Sequence, residues 1–163
     1  MPLHEGQTLP DATVLVMGEA GPEEVSLKET LAGRKVVLFG LPGAYTGTCT
    51  TAHVPSFIRT AQAFADRGVD EILCLAVNDP FVLRAWGEAT GATAAGITMI
   101  ADVEATFTKA VGMEFSVPSR GFIDRSKRYA MIVDDGVVTA LNVEPQGGEC
   151  DISGGESLLE RLD

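Results

Sequence analysis

Two unbroken apolar runs, Val36-Val37-Leu38-Phe39-Gly40-Leu41 and Ile72-Leu73-Cys74-Leu75-Ala76-Val77, bracket a segment with a helical apolar period. Within it Val54, Phe57, Ile58, Ala61, Phe64 and Ala65 recur at helical spacing, and Gly68 follows Arg67 as a stop. The two runs read as buried strands. Strand, helix and strand within about 40 residues make a βαβ unit, which dictates parallel pairing and a right-handed crossover.

The remaining elements extend that unit. Ala12 to Met17 and Glu24 to Leu27, separated by Gly18-Glu19-Ala20-Gly21-Pro22, read as an N-terminal β-hairpin laid on the main domain. Asn78-Asp79-Pro80 opens a helix that runs to Thr90 and stops at Gly91. Thr98 to Ala101 reads as a short strand, and Asp102 caps a helix to Val111, ended by Gly112. Tyr129 to Val133 and Val137 to Val143 flank Asp134-Asp135-Gly136, a hairpin with the Asp-Gly signal and a solvated acidic turn. Ser153 to Leu162 reads as a terminal helix. The predicted class is α/β and thioredoxin-like: a central mixed β-sheet flanked by helices, in one domain spanning residues 1–163.

Charge narrows the partners. Twelve basic against twenty-three acidic residues leave a net charge of −11, which argues against nucleic acid and against an anionic membrane surface. No apolar run approaches the roughly 20 residues of a membrane-spanning helix. The N-terminal residues carry no secretory pattern, and three widely spaced cysteines fit a reducing compartment better than a disulfide framework. A cytoplasmic location is therefore expected.

The loop after the first buried strand, Pro42-Gly43-Ala44-Tyr45-Thr46-Gly47-Thr48-Cys49, delivers a thiol to the start of a helix. Unpaired backbone N–H groups and roughly half a unit of positive charge there favour a thiolate. Thr46, three residues earlier, is expected to bring its hydroxyl near the sulfur, where it can donate to the thiolate and hold an incoming peroxide. Pro42 would cover the sulfur without offering a competing hydrogen. Negative charge growing on a leaving oxygen calls for a fixed cation. Arg120, Arg125 and Arg128 are the candidates, and Arg128 directly precedes a strand. Pro55 falls inside the helical pattern, so a kink is expected over Thr51 to Pro55. His53 lies four residues after Cys49. One Cys–His pair supplies only two of four zinc ligands, so no metal is expected and His53 reads as orienting the loop. Trp86 and Phe81 read as core.

These stretches resemble the peroxidatic motif of the type II (type V) peroxiredoxins, with Thr50-Thr51-Ala52-His53-Val54-Pro55 continuing it. The resemblance extends through Cys74 to Val82, Ala85-Trp86-Gly87, Lys127-Arg128-Tyr129-Ala130-Met131 and Leu141-Asn142-Val143-Glu144-Pro145. It implies that Cys49 is the peroxidatic cysteine, that Thr46 and Pro42 belong to its loop, and that Arg128 is the activating arginine. It also implies homodimers through the face bearing the site. Gly47 stands where many relatives carry proline, and Thr50 where many carry serine.

The resolving thiol has three candidates. By resemblance to plant-like members it is Cys74, and by resemblance to animal-like members it is Cys150, in Gly147-Gly148-Glu149-Cys150. An external thiol is the third. The expected activity is a thiol peroxidase for hydrogen peroxide and small alkyl hydroperoxides, working through a Cys49 sulfenic acid and recycled by glutaredoxin with glutathione or by thioredoxin. No metal, flavin or nicotinamide is expected, since no ligand cluster and no strand-linked Gly-x-Gly-x-x-Gly occur. A disulfide oxidoreductase would show Cys-x-x-Cys, but Thr46 and Ala52 occupy those offsets. A non-enzymatic redox sensor or holdase is the alternative.

Overall fold

Both apolar runs become central strands because each face of the sheet is covered. A computed structural model describes residues 3–145 and 149–162. In β3 (Lys35–Gly40), Val37 and Phe39 enter one buried cluster, while Val36 and Leu38 enter the other. β4 (Glu71–Ala76) divides likewise, with Ile72, Cys74 and Ala76 on the first face and Leu73 and Leu75 on the second. Each large side chain buried this way contributes roughly 1.5–3 kcal/mol of transfer free energy.

The first cluster is completed by α2 (Val54–Asp66), α3 (Pro80–Thr90) and α5 (Gly155–Leu159), which supply Phe57, Phe64, Trp86 and Leu158. The second is completed by α1 (Leu27–Leu31) and α4 (Thr106–Ala110), which supply Leu27, Leu31 and Phe107. With β1 (Thr13–Gly18), β2 (Gly21–Ser26), β5 (Ile97–Ala101), β8 (Tyr129–Asp134) and β9 (Val137–Val143), the seven-stranded order is β2-β1-β5-β4-β3-β8-β9. The strands β3, β4 and β5 are parallel, and β8 runs antiparallel to β3. This is the thioredoxin-like α/β arrangement.

One register pair sets up the site. Gly40 at the end of β3 faces Tyr129 at the start of β8. A Cβ on Gly40 would lie 2.4 Å from the tyrosine ring, so only glycine admits that ring. Arg128, one residue earlier, is thereby delivered beside the loop that leaves β3.

Several expectations need correcting. The N-terminal hairpin joins the main sheet instead of lying on it, because Leu15 of β1 pairs with Ala101 of β5. Leu27 opens α1 and does not end a strand, since the Ser26 hydroxyl accepts from the Glu29 N–H at 3.2 Å. Asp102 caps from a distance: its carboxylate reaches the Phe107 and Thr108 N–H groups, and α4 starts only at Thr106. A second two-stranded sheet, β6 (Glu114–Val117) and β7 (Phe122–Ser126), forms where the sequence shows no strand period. Its strands are only partly buried, so no clean alternation marks them. The terminal helix is confined to Gly155–Leu159. Phe81 is exposed and not core, whereas Trp86 is fully buried. Gly147 and Gly148 lie outside the described residues.

Candidate active site

The backbone of the loop after β3 is held by two side chains from outside it, Asn78 and Arg125. The Asn78 amide oxygen accepts from the Ala44 N–H at 2.9 Å. Gly43 sits at φ +151°, and a Cβ there would come within 2.2 Å of Arg125 Nη1. Arg125 Nη1 donates instead to the Pro42 carbonyl at 3.0 Å, and its guanidinium lies 5.6 Å over the Phe122 ring. The Thr46 hydroxyl donates to the Gly43 carbonyl at 2.7 Å, so its hydrogen is committed there and not to the sulfur. Its lone pairs are what it can offer an incoming O–H.

Cys49 opens a π-helical turn, Cys49–His53, that feeds α2. The Val54 N–H reaches back five residues to the Cys49 carbonyl. Pro55, in the first turn of α2, lacks an N–H and crowds the carbonyl four residues back, and the wider turn relieves both problems. The kink anticipated over Thr51 to Pro55 takes this form. Trp86 Nε1 donates to the Thr50 hydroxyl at 3.1 Å within the turn.

The Cys49 sulfur is fully buried, but not in an apolar void. Arg128 Nη2 donates to Cys49 Sγ at 3.3 Å, and Arg128 is itself 2% exposed. Arg128 Nη1 donates to His53 Nδ1 at 3.0 Å, and His53 Nε2 bonds the Ser153 carbonyl at 3.0 Å. A guanidinium has only donors and a carbonyl only lone pairs, so the network assigns the proton to Nε2 and leaves Nδ1 bare. Burial, together with the Arg128 charge, lowers the His53 pKa to about 3, against the Ser153 bond that raises it. His53 is therefore neutral, wedged against Phe39 and Phe57 at centroid separations of 4.9 and 5.6 Å.

Of the three arginines left open by the sequence, Arg128 meets the sulfur, Arg125 holds the Pro42 carbonyl, and Arg120 lines a cavity beside the loop. That cavity, about 610 Å³, is walled by Pro42, Thr46, Phe115, Phe122 and Arg128 among others. Asn78 does something its sequence did not announce: Asp79 caps α3, which leaves Asn78 for the loop. Two capping-type residues in a row, where a helix needs one, were the available signal.

The Redoxin family model matches residues 4–159. The chain is 43% identical to Peroxiredoxin-2C of Oryza sativa subsp. japonica over 99% of both chains. It is 43% identical to the chloroplastic Peroxiredoxin-2E-2 of the same organism, over 96% of this chain and 71% of that one. A structure of reduced Prx3 from Vibrio vulnificus in complex with hydrogen peroxide is 45% identical, with a TM-score of 0.92 and 99% of each chain covered. The chain belongs to the peroxiredoxin family, in its type II branch. It is a thiol-dependent peroxidase.

Two further thiols of this peroxiredoxin differ sharply in setting. Cys74 lies inside β4, opposite Phe39 on one side and Met99 on the other, with no exposure. Burial, and the neighbouring Cys49 charge, push its thiol well above the ordinary range against a smaller opposing effect of Arg128. Cys150 is half-buried on an irregular segment, its sulfur 3.9 Å from the Ser153 hydroxyl. Burial raises its pKa also, eased by the Arg128 charge. All three cysteines are free thiols. Among the described residues no cluster of three or more His, Cys, Asp or Glu is placed to hold a metal ion.

Proposed function

We propose that Cys49 is the thiol that attacks peroxide, and the observation that carries this is the 3.3 Å contact from Arg128 Nη2 to its sulfur. A thiolate accepts a hydrogen bond from a permanently charged donor far better than a neutral thiol does. The sulfur attacks one oxygen of ROOH, the O–O bond breaks, and the leaving oxygen takes its electrons and a proton to depart as water or alcohol. Cys49 is left as the sulfenic acid. Arg128 stabilises the growing charge, Thr46 Oγ accepts the peroxide hydrogen, and Pro42 walls the site from water.

Sulfenic acid then condenses with a thiol, releasing water and forming a disulfide, and an external dithiol supplies two electrons to restore the enzyme. Glutaredoxin with glutathione, or thioredoxin, fills that role. Of the two internal thiols Cys150 is the better placed, because Cys74 is locked between two strands. Tyr45 and Phe81 are exposed on segments joined by the Asn78–Ala44 bond, and they suit a homodimer through the face carrying the site. Among the described residues no helix is long and apolar enough to cross a membrane. Three widely spaced free thiols suit a reducing compartment, and a cytoplasmic location is part of this reading.

Cys49→Ser tests the central assignment. Turnover of hydrogen peroxide with glutaredoxin and glutathione, or with thioredoxin, is expected to vanish. A serine variant that still turns over would refute it.

A further inference from the structure

Glu144 lies just past the end of β9, and its carboxylate faces a turn of the chain. Oε2 accepts from the Asp151 N–H at 2.9 Å, from the Ser153 N–H at 2.7 Å and from the Ser153 hydroxyl. Oε1 accepts from the Ile152 N–H at 3.3 Å. Four donors from three consecutive residues converge on one carboxylate. Burial opposes its charge, but those bonds outweigh burial and hold the group below the usual carboxylate range. An amide would set an NH₂ against one of the same N–H donors.

The turn so held carries the Ser153 carbonyl that receives the His53 Nε2–H. We propose that Glu144 is a positioning residue for the peroxidase reaction: by clamping residues 151–153 it keeps the Ser153 carbonyl on His53 Nε2–H, so that the bare Nδ1 holds Arg128 Nη1 and leaves Nη2 on the Cys49 sulfur. This rests on Cys49 being the attacking thiol. If the carbonyl drifts, the tautomer with its proton on Nδ1 is opposed by Arg128 alone and becomes less disfavoured. That tautomer sets one donor against another at Arg128. The guanidinium then turns away, and the sulfur loses its cation although no residue touching it has changed.

The test is stopped-flow oxidation of the full chain by hydrogen peroxide, read by Trp86 fluorescence across pH. Glu144→Ala is expected to lower the second-order rate constant about tenfold and to move the midpoint of the pH–rate profile upward. Glu144→Gln, which keeps three of the four donors satisfied, is expected to lose about threefold with a smaller shift in the same direction. In a His53→Phe background, where the ring has no nitrogen to orient, Glu144→Ala is expected to change the rate by less than about twofold. Equal fractional losses in the two backgrounds would overturn the proposal. So would a wild-type pH midpoint in Glu144→Ala or, if that variant does not fold, in Glu144→Gln. An active Cys49→Ser would instead overturn the assignment of the thiol. An inactive Cys49→Ser beside an indifferent Glu144→Ala removes only the positioning role.

Discussion

Trp86 Nε1 donates to the Thr50 hydroxyl at 3.1 Å, which ties the chain's single tryptophan to the π-helical turn that begins at Cys49. The indole ring is fully buried, so its emission depends on the packing of that turn. Oxidising Cys49 adds an oxygen to a fully buried sulfur at the start of a turn already irregular, so the packing of that turn must adjust. One equivalent of hydrogen peroxide is therefore expected to change Trp86 fluorescence with second-order kinetics. The same addition to Cys49→Ser is expected to leave it flat. A signal of equal size in the serine variant would mean that the indole senses something else.

The three arginines should separate by function. Removing Arg128 deletes a charged donor from the sulfur and leaves His53 Nδ1 without its partner. Hydrogen bonds to charged groups contribute about 1.5–3 kcal/mol, so Arg128→Ala is expected to slow peroxide oxidation about 10- to 100-fold. Arg128→Lys should fall between, since one ammonium cannot serve the sulfur and the imidazole with a planar fork. Arg125→Ala releases the Pro42 carbonyl and uncovers the Phe122 ring, and should cost a few-fold. If Arg125→Ala or Arg120→Ala proves the slowest variant, the guanidinium on the sulfur is not the activating one.

How much of this was legible in the residues follows from what each signal encodes. The βαβ unit was readable because Val36 to Leu41 and Ile72 to Val77 are apolar on both faces, which leaves few alternatives for a strand. The loop, Cys49 and the kink at Pro55 were readable because glycine, proline and a helix start carry their own geometry. Thr46 was placed correctly in the loop, but the direction of its hydrogen was not foreseeable. The Gly43 carbonyl competes for that hydrogen, and the turn decides the winner. The β6–β7 ribbon was hidden because half-exposed strands show no period. Glu144 and Ser153 were hidden for another reason: their bonds bring together residues nine apart and then, through His53, residues 100 apart. Nothing local in a sequence marks a contact of that kind.

Cys74 offers a contrast with the assignment suggested by plant-like relatives. Its thiol is sealed inside β4 and held in the protonated form. Cys74→Ala removes a small buried group and is expected to cost about 1 kcal/mol of stability. Turnover should remain within about twofold of the parent. Mass spectrometry after peroxide treatment should find Cys74 reduced, and alkylated only once the protein is unfolded. A Cys49–Cys74 disulfide in that experiment would show that the π-helical turn unwinds far enough to reach the strand.

His53 predicts how stability depends on acid. Its pKa is about 3 in the fold, against an ordinary histidine value of 6.5. The folded-state value is depressed, so between those two values the unfolded chain binds the extra proton. Stability therefore rises with pH through the window and is lost as pH falls below 6.5. The expected loss attributable to this group is about 2 kcal/mol at pH 5. Carboxylates held low in the fold, Glu5 and Glu144 among them, lose stability in the same direction but mainly below pH 5. Urea unfolding at pH 7 and pH 5 measures the difference. His53→Gln should reduce that loss, because an amide does not titrate. An unchanged loss would mean that the acid sensitivity lies elsewhere.

Gly43 and Gly47 stand four residues apart in one loop and should respond oppositely to the same methyl group. At Gly43, φ is +151°, a region L side chains avoid, and the added Cβ would meet Arg125 Nη1 at 2.2 Å. Gly43→Ala must push the guanidinium off the Pro42 carbonyl or refold the loop. It is expected to destabilise by about 1–3 kcal/mol and to slow peroxide oxidation at least as much as Arg125→Ala. At Gly47 a Cβ meets nothing within 4 Å, and the backbone is not left-handed. Gly47→Ala is expected to stabilise by about 0.4–1 kcal/mol, through the smaller entropy of the unfolded chain, with the oxidation rate kept or raised. Thermal melts and stopped-flow traces on the two variants decide it. A destabilised Gly47→Ala or a neutral Gly43→Ala would mean that the loop in solution does not follow this backbone path.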